Sequence, residues 1–171
     1  EGNVAQLITL QDIGGGVATG FNALCASEPD SSKCIAGVDG TFENIPTFSW
    51  DVQVCTHEIG HVLGSRHTQA CVWNGNNTAI DGCAGFTDGG CATPAVPKQG
   101  GTIMSYCHIT QYGINFALGF GLQPGNIIRN RIASAPCMSA CQILPPPPPP
   151  CGEVTFTLIL DNYGNETSYE I

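Results

Sequence analysis

Three of the four histidines lie in the stretch CTHEIGHVLGSRHT, and their spacing indicates a metal site. His57 and His61 are four residues apart, so on a helix their imidazoles project from one face, one turn above the other. Gly64 lets the chain turn sharply, and His67 follows as a third ligand. Three neutral imidazoles leave the fourth position of a tetrahedral zinc ion open for water, which is typical of a catalytic zinc site.

Glu58 lies between the two helical histidines, about 100° around the helix from His57. A carboxylate at this place reaches a water held by both imidazoles and acts on it as a general base. The bland alternative is that these are ordinary surface or core histidines. A lone HExxH occurs by chance, but HExxHxxGxxH fixes five positions in eleven residues, which favours the metal site. The fourth histidine, His108, is expected to line a loop or a pocket rather than bind metal.

The composition indicates a folded, acidic domain. Of the 171 residues, 42% are hydrophobic and 11% are charged, which is enough apolar material for a core. Fourteen acidic residues against five basic ones argue against nucleic acid and anionic membranes, because such partners require many cations. No apolar run reaches the roughly 20 residues that span a bilayer. The ten cysteines form no zinc-ribbon pairs, so they predict disulfides and a secreted, extracellular protein.

Hydrophobic patterns outline the elements that must position the histidines. A helix is predicted to begin near Ser49, with Ser49 or Thr47 as its cap, and to end at Gly64. Two strands are expected before it, over residues 3–10 and 17–25, with a glycine-rich turn between them. The helix carries His57 and His61, and the strands form the sheet against which it packs.

The remaining segments are predicted from turn residues and from one further helical pattern. A polar loop is expected after the second strand, through residue 34, and residues 67–120 are expected to be rich in loops. A closing helix is predicted over residues 123–135. Three of its side chains are expected to face inward: Ile127, Ile128 and Ile132.

The chain is predicted to have three parts. Residues 1–141 are expected to form the domain with the histidines, with the N-terminal part of that domain missing and one strand edge of its sheet left exposed. Residues 142–150 form a linker that ends in six prolines, a polyproline spacer. Residues 151–171 alternate like a strand and are expected to open a second, β-type module of a longer chain.

The histidine motif and the later stretch GTIMSY resemble the zinc motif and Met-turn of metzincin metallopeptidases. The stretches NVAQLIT and GVATGFNALC are similar to the reprolysin (adamalysin-like) family within that clan. The resemblance implies an α+β catalytic domain with a partial mixed β-sheet, an active-site helix and a closing C-terminal helix. It further implies a loop-rich lower subdomain that is stapled by disulfides.

The same resemblance implies roles for individual residues. His57, His61 and His67 bind one catalytic zinc ion, and Glu58 is the general base. Met104 forms the hydrophobic floor under the metal. Two further residues are implied to contribute, Tyr106 and Thr68. In some metzincins a tyrosine at the position of Tyr106 reaches the zinc or the transition state; the alternative role is a packed tyrosine. Reprolysins usually have aspartate at the position of Thr68, where the residue ties the zinc loop to the Met-turn, and threonine is more like the pappalysins.

The family resemblance also implies how a substrate binds. An edge strand pairs with an extended peptide through backbone hydrogen bonds. The residues of this strand are expected to be Val17, Ala18, Thr19, Gly20 and Phe21. The segment after Met104 is expected to form a pocket for a substrate side chain.

Disulfide connectivity is a conjecture at this level, because ten cysteines permit a very large number of pairings. The expected pairs are Cys83–Cys91, Cys71–Cys107 and Cys25–Cys137, with Cys34–Cys55 and Cys141–Cys151 left by elimination. Cys55 is alternatively a free thiol.

These observations predict a secreted zinc endopeptidase that hydrolyses peptide bonds in protein substrates. Two alternatives stay open: a pappalysin-like metzincin peptidase, and a non-catalytic zinc-binding adhesion module. An adhesion module is expected to have lost Glu58 or one of the three ligands, and this chain retains all of them.

Overall fold

A small sheet packed on a long helix forms the framework of the protein. The structure, a computed structural model, describes residues 3–138, so the predicted linker at 142–150 and the module at 151–171 lie outside the described residues. Within 3–138 the α+β architecture is confirmed. Its strands and α-helices, in chain order, are β1 (Ala5–Thr9), β2 (Gly16–Ala18), β3 (Lys33–Gly37), α1 (Trp50–Val62) and α2 (Leu122–Ser134).

The sheet is mixed and has the order β1-β3-β2. β1 runs parallel to β3, whereas β2 runs antiparallel to it. The register aligns Leu7, Ile35 and Val17 in one row across the three strands. Among residues 3–138, β1 and β2 each have β3 as their one neighbour, so β2 presents a free edge.

Two predictions for the sheet were wrong. The central strand β3 begins at Lys33, where the sequence was expected to continue a polar loop to residue 34. The strand is short and its residues are mixed in polarity. It forms a strand because β1 and β2 are hydrogen-bonded to it on its two sides. The predicted strand over 17–25 ends at Ala18. Beyond it the backbone turns away over α1: Asn22 and Cys25 have φ of 60° and 63°.

Helix α1 confirms the predicted active-site helix. Ser49 is its N-cap and accepts a hydrogen bond from the Val52 N–H at 3.5 Å. The helix ends at Val62, and Gly64 takes a φ of +102°, which turns the chain away. The Trp50 indole N–H donates to the Gly37 carbonyl at 2.9 Å, so the start of α1 is tied to the end of β3.

Helix α2 lies within one residue of its predicted bounds. Its buried residues, Pro124, Gly125 and Ile128, occupy the first two turns. The prediction that Ile132 faces inward was wrong, since its side chain is 38% exposed. The turn of α2 that carries Ile132 lies beyond the buried part of the helix. No helix within residues 3–138 is both long enough and apolar enough to cross a membrane.

Three disulfides close the described part of the chain, and one of them, Cys25–Cys137, is as predicted. The expected pairs Cys83–Cys91 and Cys71–Cys107 are wrong, because the bridges are Cys71–Cys91 and Cys83–Cys107. A backbone bridge between Ala70 and Asp88 brings the first pair together, and burial in one apolar cluster with Ile114 brings the second pair together. Cys34 and Cys55 are free thiols, which corrects their pairing by elimination; Cys141 and Cys151 lie outside the described residues.

Candidate metal centre

The structure brings the three motif histidines to one point. The Nε2 atom of His61 lies 3.1 Å from that of His57 and 3.0 Å from that of His67. Nitrogens that share a tetrahedral zinc ion at roughly 2.0 Å lie about 3.3 Å apart, so these separations fit zinc. Two of the histidines come from consecutive turns of α1, and the third comes from the segment after Gly64.

The opposite ring nitrogens determine the tautomers. The Nδ1–H of His57 donates to the Ile103 carbonyl at 2.8 Å, and that of His61 donates to the Ser65 carbonyl at 2.8 Å. A carbonyl only accepts, so each Nδ1 carries the proton and each Nε2 carries a lone pair. His67 Nδ1 faces a carboxylate oxygen of Asp88 at 3.4 Å, with the same consequence. Three lone pairs that point at one another repel unless a cation lies between them.

The imidazoles are neutral because they are buried. Desolvation, together with the smaller effect of the neighbouring histidines, lowers the pKa of His57 to about 3 and that of His61 to about 4. Burial also lowers the pKa of His67, against the opposing effect of the Asp88 carboxylate. Metal ligation requires neutral imidazole, so this environment prepares all three side chains for an ion.

The segment around Met104 is a buried turn that is hydrogen-bonded to the residue after His67. Met104 is fully buried, in a tight turn in which the Ser105 N–H donates to the Thr102 carbonyl at 3.0 Å. The Met104 carbonyl accepts hydrogen bonds from the N–H and the hydroxyl of Thr68 at 3.2 and 3.4 Å. Thr68 therefore makes the tie between the metal-site loop and the Met104 turn that an aspartate makes in the resembled family.

Glu58 and a cleft lie beside the histidines. The cleft has a volume of about 390 Å³ and is lined by His57, Glu58, Tyr106 and His108, among others. Glu58 is only 4% exposed, and desolvation raises its pKa to about 7. As predicted, the residues after Met104 form part of the cleft wall, and His108 is a wall residue, which faces Trp50 with ring centroids 5.3 Å apart.

Tyr106 reaches the same centre. Its hydroxyl lies 3.3 Å from His67 Nε2, and its ring packs against the His67 ring with centroids 4.8 Å apart. Desolvation and the nearby carboxylates of Asp88 and Glu58 raise the pKa of Tyr106, so its hydroxyl stays protonated at neutral pH.

The five residues expected in the substrate strand divide into two groups. Val17 and Ala18 lie in β2, at the free edge of the sheet, whereas Thr19, Gly20 and Phe21 follow the strand. The Phe21 ring stands edge-on to the His61 ring at 5.2 Å, which places it beside the candidate metal site.

Asp88 is the site residue that sequence reasoning missed. In sequence it lies in a glycine-rich turn and shows no signal beyond that. It reaches the site because the Cys71 N–H donates to its carbonyl and its own N–H donates to the Gln69 carbonyl, and Cys71–Cys91 closes the same loop. A carboxylate on the far nitrogen orients a metal-binding histidine and increases its basicity.

We expect Asp88→Ala to lower the zinc affinity of the folded protein by about 10- to 100-fold, because His67 loses its orienting acceptor. Asp88→Asn keeps an acceptor and is expected to lose less. Zinc affinity is measured by competition with a chromophoric chelator, with Asp30→Ala, remote in sequence and fully exposed, as the matched control. Equal affinities for Asp88→Ala and Asp30→Ala would contradict this role.

The buried histidines also predict how the metal-free protein responds to acid. Between pH 6.5 and 4.5 the unfolded chain binds protons on His57 and His61 that the folded protein does not, so acid lowers the free energy of unfolding. His67 and His108, whose pKa values are also lowered, act in the same direction.

Glu58 opposes this effect, because its raised pKa makes the folded protein bind a proton in that range. Thermal or urea unfolding of chelator-treated protein is expected to show lower stability at pH 5 than at pH 6.5, with a larger loss in Glu58→Gln. A smaller loss in Glu58→Gln would show that the carboxylate is not buried as described.

Comparison with known proteins places these residues in a family. A reprolysin-type sequence profile, described as metallo-peptidase family M12, matches residues 2–116, which is more than half of the chain. No curated protein and no solved structure gives a significant match. The matched range contains the complete histidine motif, Asp88 and the Met104 turn. The chain therefore belongs to metallo-peptidase family M12.

Proposed function

We propose that this metallopeptidase is a secreted, zinc-dependent endopeptidase that cleaves extended segments of protein substrates. The observation that carries the proposal is the convergence of three imidazole lone pairs beside a cleft that Glu58 lines and a free strand edge borders. The three disulfides support an oxidising, extracellular environment.

His57, His61 and His67 are the residues that would hold the ion. Bound zinc supplies a Lewis acid and lowers the pKa of a coordinated water toward neutrality. The carbonyls that accept hydrogen bonds from His57 and His61 hold these rings in the required tautomer, so little rearrangement is needed when the ion binds.

Glu58 is the proposed general base. It is buried in the cleft wall next to His57, so its carboxylate faces the reaction rather than bulk water. A cation at the histidines favours its ionised form, which reverses part of the effect of burial on its pKa. Ionised Glu58 accepts the proton of the attacking water and later donates it to the leaving amine.

Tyr106 is proposed to stabilise the negative charge that develops on the carbonyl oxygen under attack. Its hydroxyl already lies at the site, 3.3 Å from His67 Nε2, and stays protonated at neutral pH. A protonated hydroxyl in a partly desolvated cleft is an effective donor to such an oxygen.

β2 is the proposed docking strand, and its hydrogen-bond pattern identifies the residues that contact the substrate backbone. The Thr19 N–H donates to the Lys33 carbonyl, and the Gly37 N–H donates to the Gly15 carbonyl. The backbone N–H and C=O groups of residues 15, 17 and 19 therefore point toward β3. Alternation in an antiparallel pair then directs the N–H and C=O groups of Gly16 and Ala18 to the free edge. An extended peptide pairs with these two residues.

The cleft is proposed to accept a bulky apolar side chain of the substrate. Several ring-bearing side chains line it, and its volume of about 390 Å³ is sufficient for a large residue. Besides His57, the wall residues with rings are Trp50, Phe86, Tyr106 and His108.

The two alternative functions receive less support. A pappalysin-like peptidase is favoured only by Thr68, whereas the family match is to the reprolysin type. A non-catalytic adhesion module has no need of a buried carboxylate beside the histidines, and burial of Glu58 costs free energy that catalysis would explain.

We expect Glu58→Gln to retain zinc and lose peptidase activity by on the order of 10²- to 10⁴-fold, because glutamine cannot accept the proton. Zinc content and cleavage of casein or a fluorogenic peptide are the measurements. A parent protein that binds zinc tightly but cleaves nothing would support the adhesion module instead. Equal activity of Glu58→Gln and parent would remove Glu58 from the mechanism.

Gly16 is expected to position Glu58. A Cβ atom added at Gly16 would lie 2.5–2.6 Å from three side-chain atoms of Glu58, which includes a carboxylate oxygen. We expect Gly16→Ala to reduce kcat by at least about 10-fold with zinc content unchanged, since a displacement of about 1 Å near reacting groups costs up to two orders of magnitude. The measurements are kcat and zinc content, with Gly125→Ala on α2 as the control.

A shorter acid tests this contact directly. In a Glu58→Asp background the carboxylate withdraws from Gly16, so Gly16→Ala is expected to cost much less there. Equal losses in both backgrounds would indicate that Gly16 acts through the strand and not through Glu58.

A further inference from the structure

Arg66 holds a cation beside the candidate metal centre that no step described above uses. Its guanidinium carbon lies 3.8 Å above the centroid of the Phe21 ring. The Phe21 ring in turn stands edge-on to the imidazole of His61, with centroids 5.2 Å apart and an interplanar angle of 86°. Guanidinium, phenyl ring and imidazole thus form a stack that extends outward from the histidines.

This cation is unusual in so acidic a chain. The sequence has five Lys and Arg residues against 14 Asp and Glu residues. Within residues 3–138 the ion pairs are Lys33–Asp30 and His67–Asp88, so no described carboxylate neutralises Arg66. Arg66 is exposed, and the Phe21 ring holds its guanidinium by a cation–π contact. The hydrogen-bond donors of Arg66 are therefore available to a ligand.

The position of Arg66 along the cleft follows from β2. The strand runs from Gly16 to Ala18 and the chain beyond it leads to Phe21, while Gly14, Gly15 and Gly16 line the aromatic cleft. A peptide that pairs antiparallel to β2, the slightly more stable arrangement, runs in the opposite direction. Its N-terminal part passes Phe21 and its C-terminal part passes the cleft. The stack thus faces residues on the N-terminal side of the bond to be cleaved.

We infer that Arg66 and Phe21 form a subsite for an acidic side chain on the N-terminal side of the scissile bond. This inference rests on the proposed peptidase function and specifies its substrate class. A guanidinium binds a carboxylate with two parallel hydrogen bonds, and Phe21 holds it flat and reduces the order that binding must impose. The acidic surface elsewhere repels such a substrate, so Arg66 selects its register.

The test uses the zinc-loaded full chain and matched fluorogenic peptides. Glu, Gln or Lys is placed in turn at each of the three positions that precede the cleaved bond. We expect Glu to exceed Gln in kcat/KM by about 3- to 10-fold at one of these positions, chiefly through KM, and the preference to shrink at high salt.

Variants assign the preference to Arg66. Arg66→Gln is expected to cleave Glu and Gln peptides equally, and Arg66→Glu is expected to prefer Lys. Arg129→Gln, which changes an exposed arginine on α2, is the matched control and should keep the preference for Glu. A preference that persists in Arg66→Gln, or that occurs only after the cleaved bond, overturns the inference.

A binding measurement separates this inference from the peptidase proposal. Fluorescence anisotropy of the same peptides with zinc-loaded Glu58→Gln protein reports affinity without turnover. Equal Kd values for Glu and Gln peptides overturn the subsite whether or not the parent cleaves anything. Tighter binding of the Glu peptide, lost with Arg66→Gln, supports the subsite even if the parent proves inactive, an outcome that would refute only the peptidase proposal.

Discussion

The Nε2 lone pairs of three imidazoles point at one another, with Nε2–Nε2 distances of 3.0 and 3.1 Å. The rest of the structure depends on how the surrounding residues stabilise this arrangement. No ring N–H lies between these nitrogens to relieve their mutual repulsion, because the ring protons are held on the opposite nitrogens by carbonyl and carboxylate acceptors. Burial lowers the pKa values of His57 and His61, so protonation of these rings does not relieve the repulsion. A divalent cation is the simplest partner that turns this repulsion into attraction.

The supports of the three rings come from separate parts of the chain. The carbonyl of Ile103, next to the buried Met104, accepts a hydrogen bond from the Nδ1–H of His57, while the carbonyl of Ser65 in the turn after α1 accepts one from the Nδ1–H of His61. Asp88 serves His67 from a loop that the Cys71–Cys91 bridge closes. Thr68 joins two of these parts through the Met104 carbonyl. The long irregular region after α1 thus carries the hydrogen-bond acceptors that orient the three candidate ligands.

The same arrangement gives the cleft two chemically different sides. On one side Glu58 contacts the start of β2 and shares a cavity with aromatic rings. On the other side Phe21 and Arg66 extend the stack that begins at His61. The free edge of β2 runs between them. Under the proposed function, a peptide aligned on that edge would meet Glu58, the three histidines and an isolated cation in a defined order.

The sequence by itself determined the residues of the candidate metal centre and the helix that carries two of them. Those features are local: helical spacing puts His57 and His61 on one face, and Ser49 and Gly64 mark the ends of α1. Only the tertiary structure decided β3, the early end of β2, the pairing of four cysteines, and the parts played by Asp88 and Arg66. These depend on contacts between residues far apart in the chain or on neighbours in space, and no local pattern encodes them. A short strand such as β3 is stable only because β1 and β2 flank it. A carboxylate in a glycine-rich turn becomes part of a metal site only when the folded backbone brings it to the imidazole.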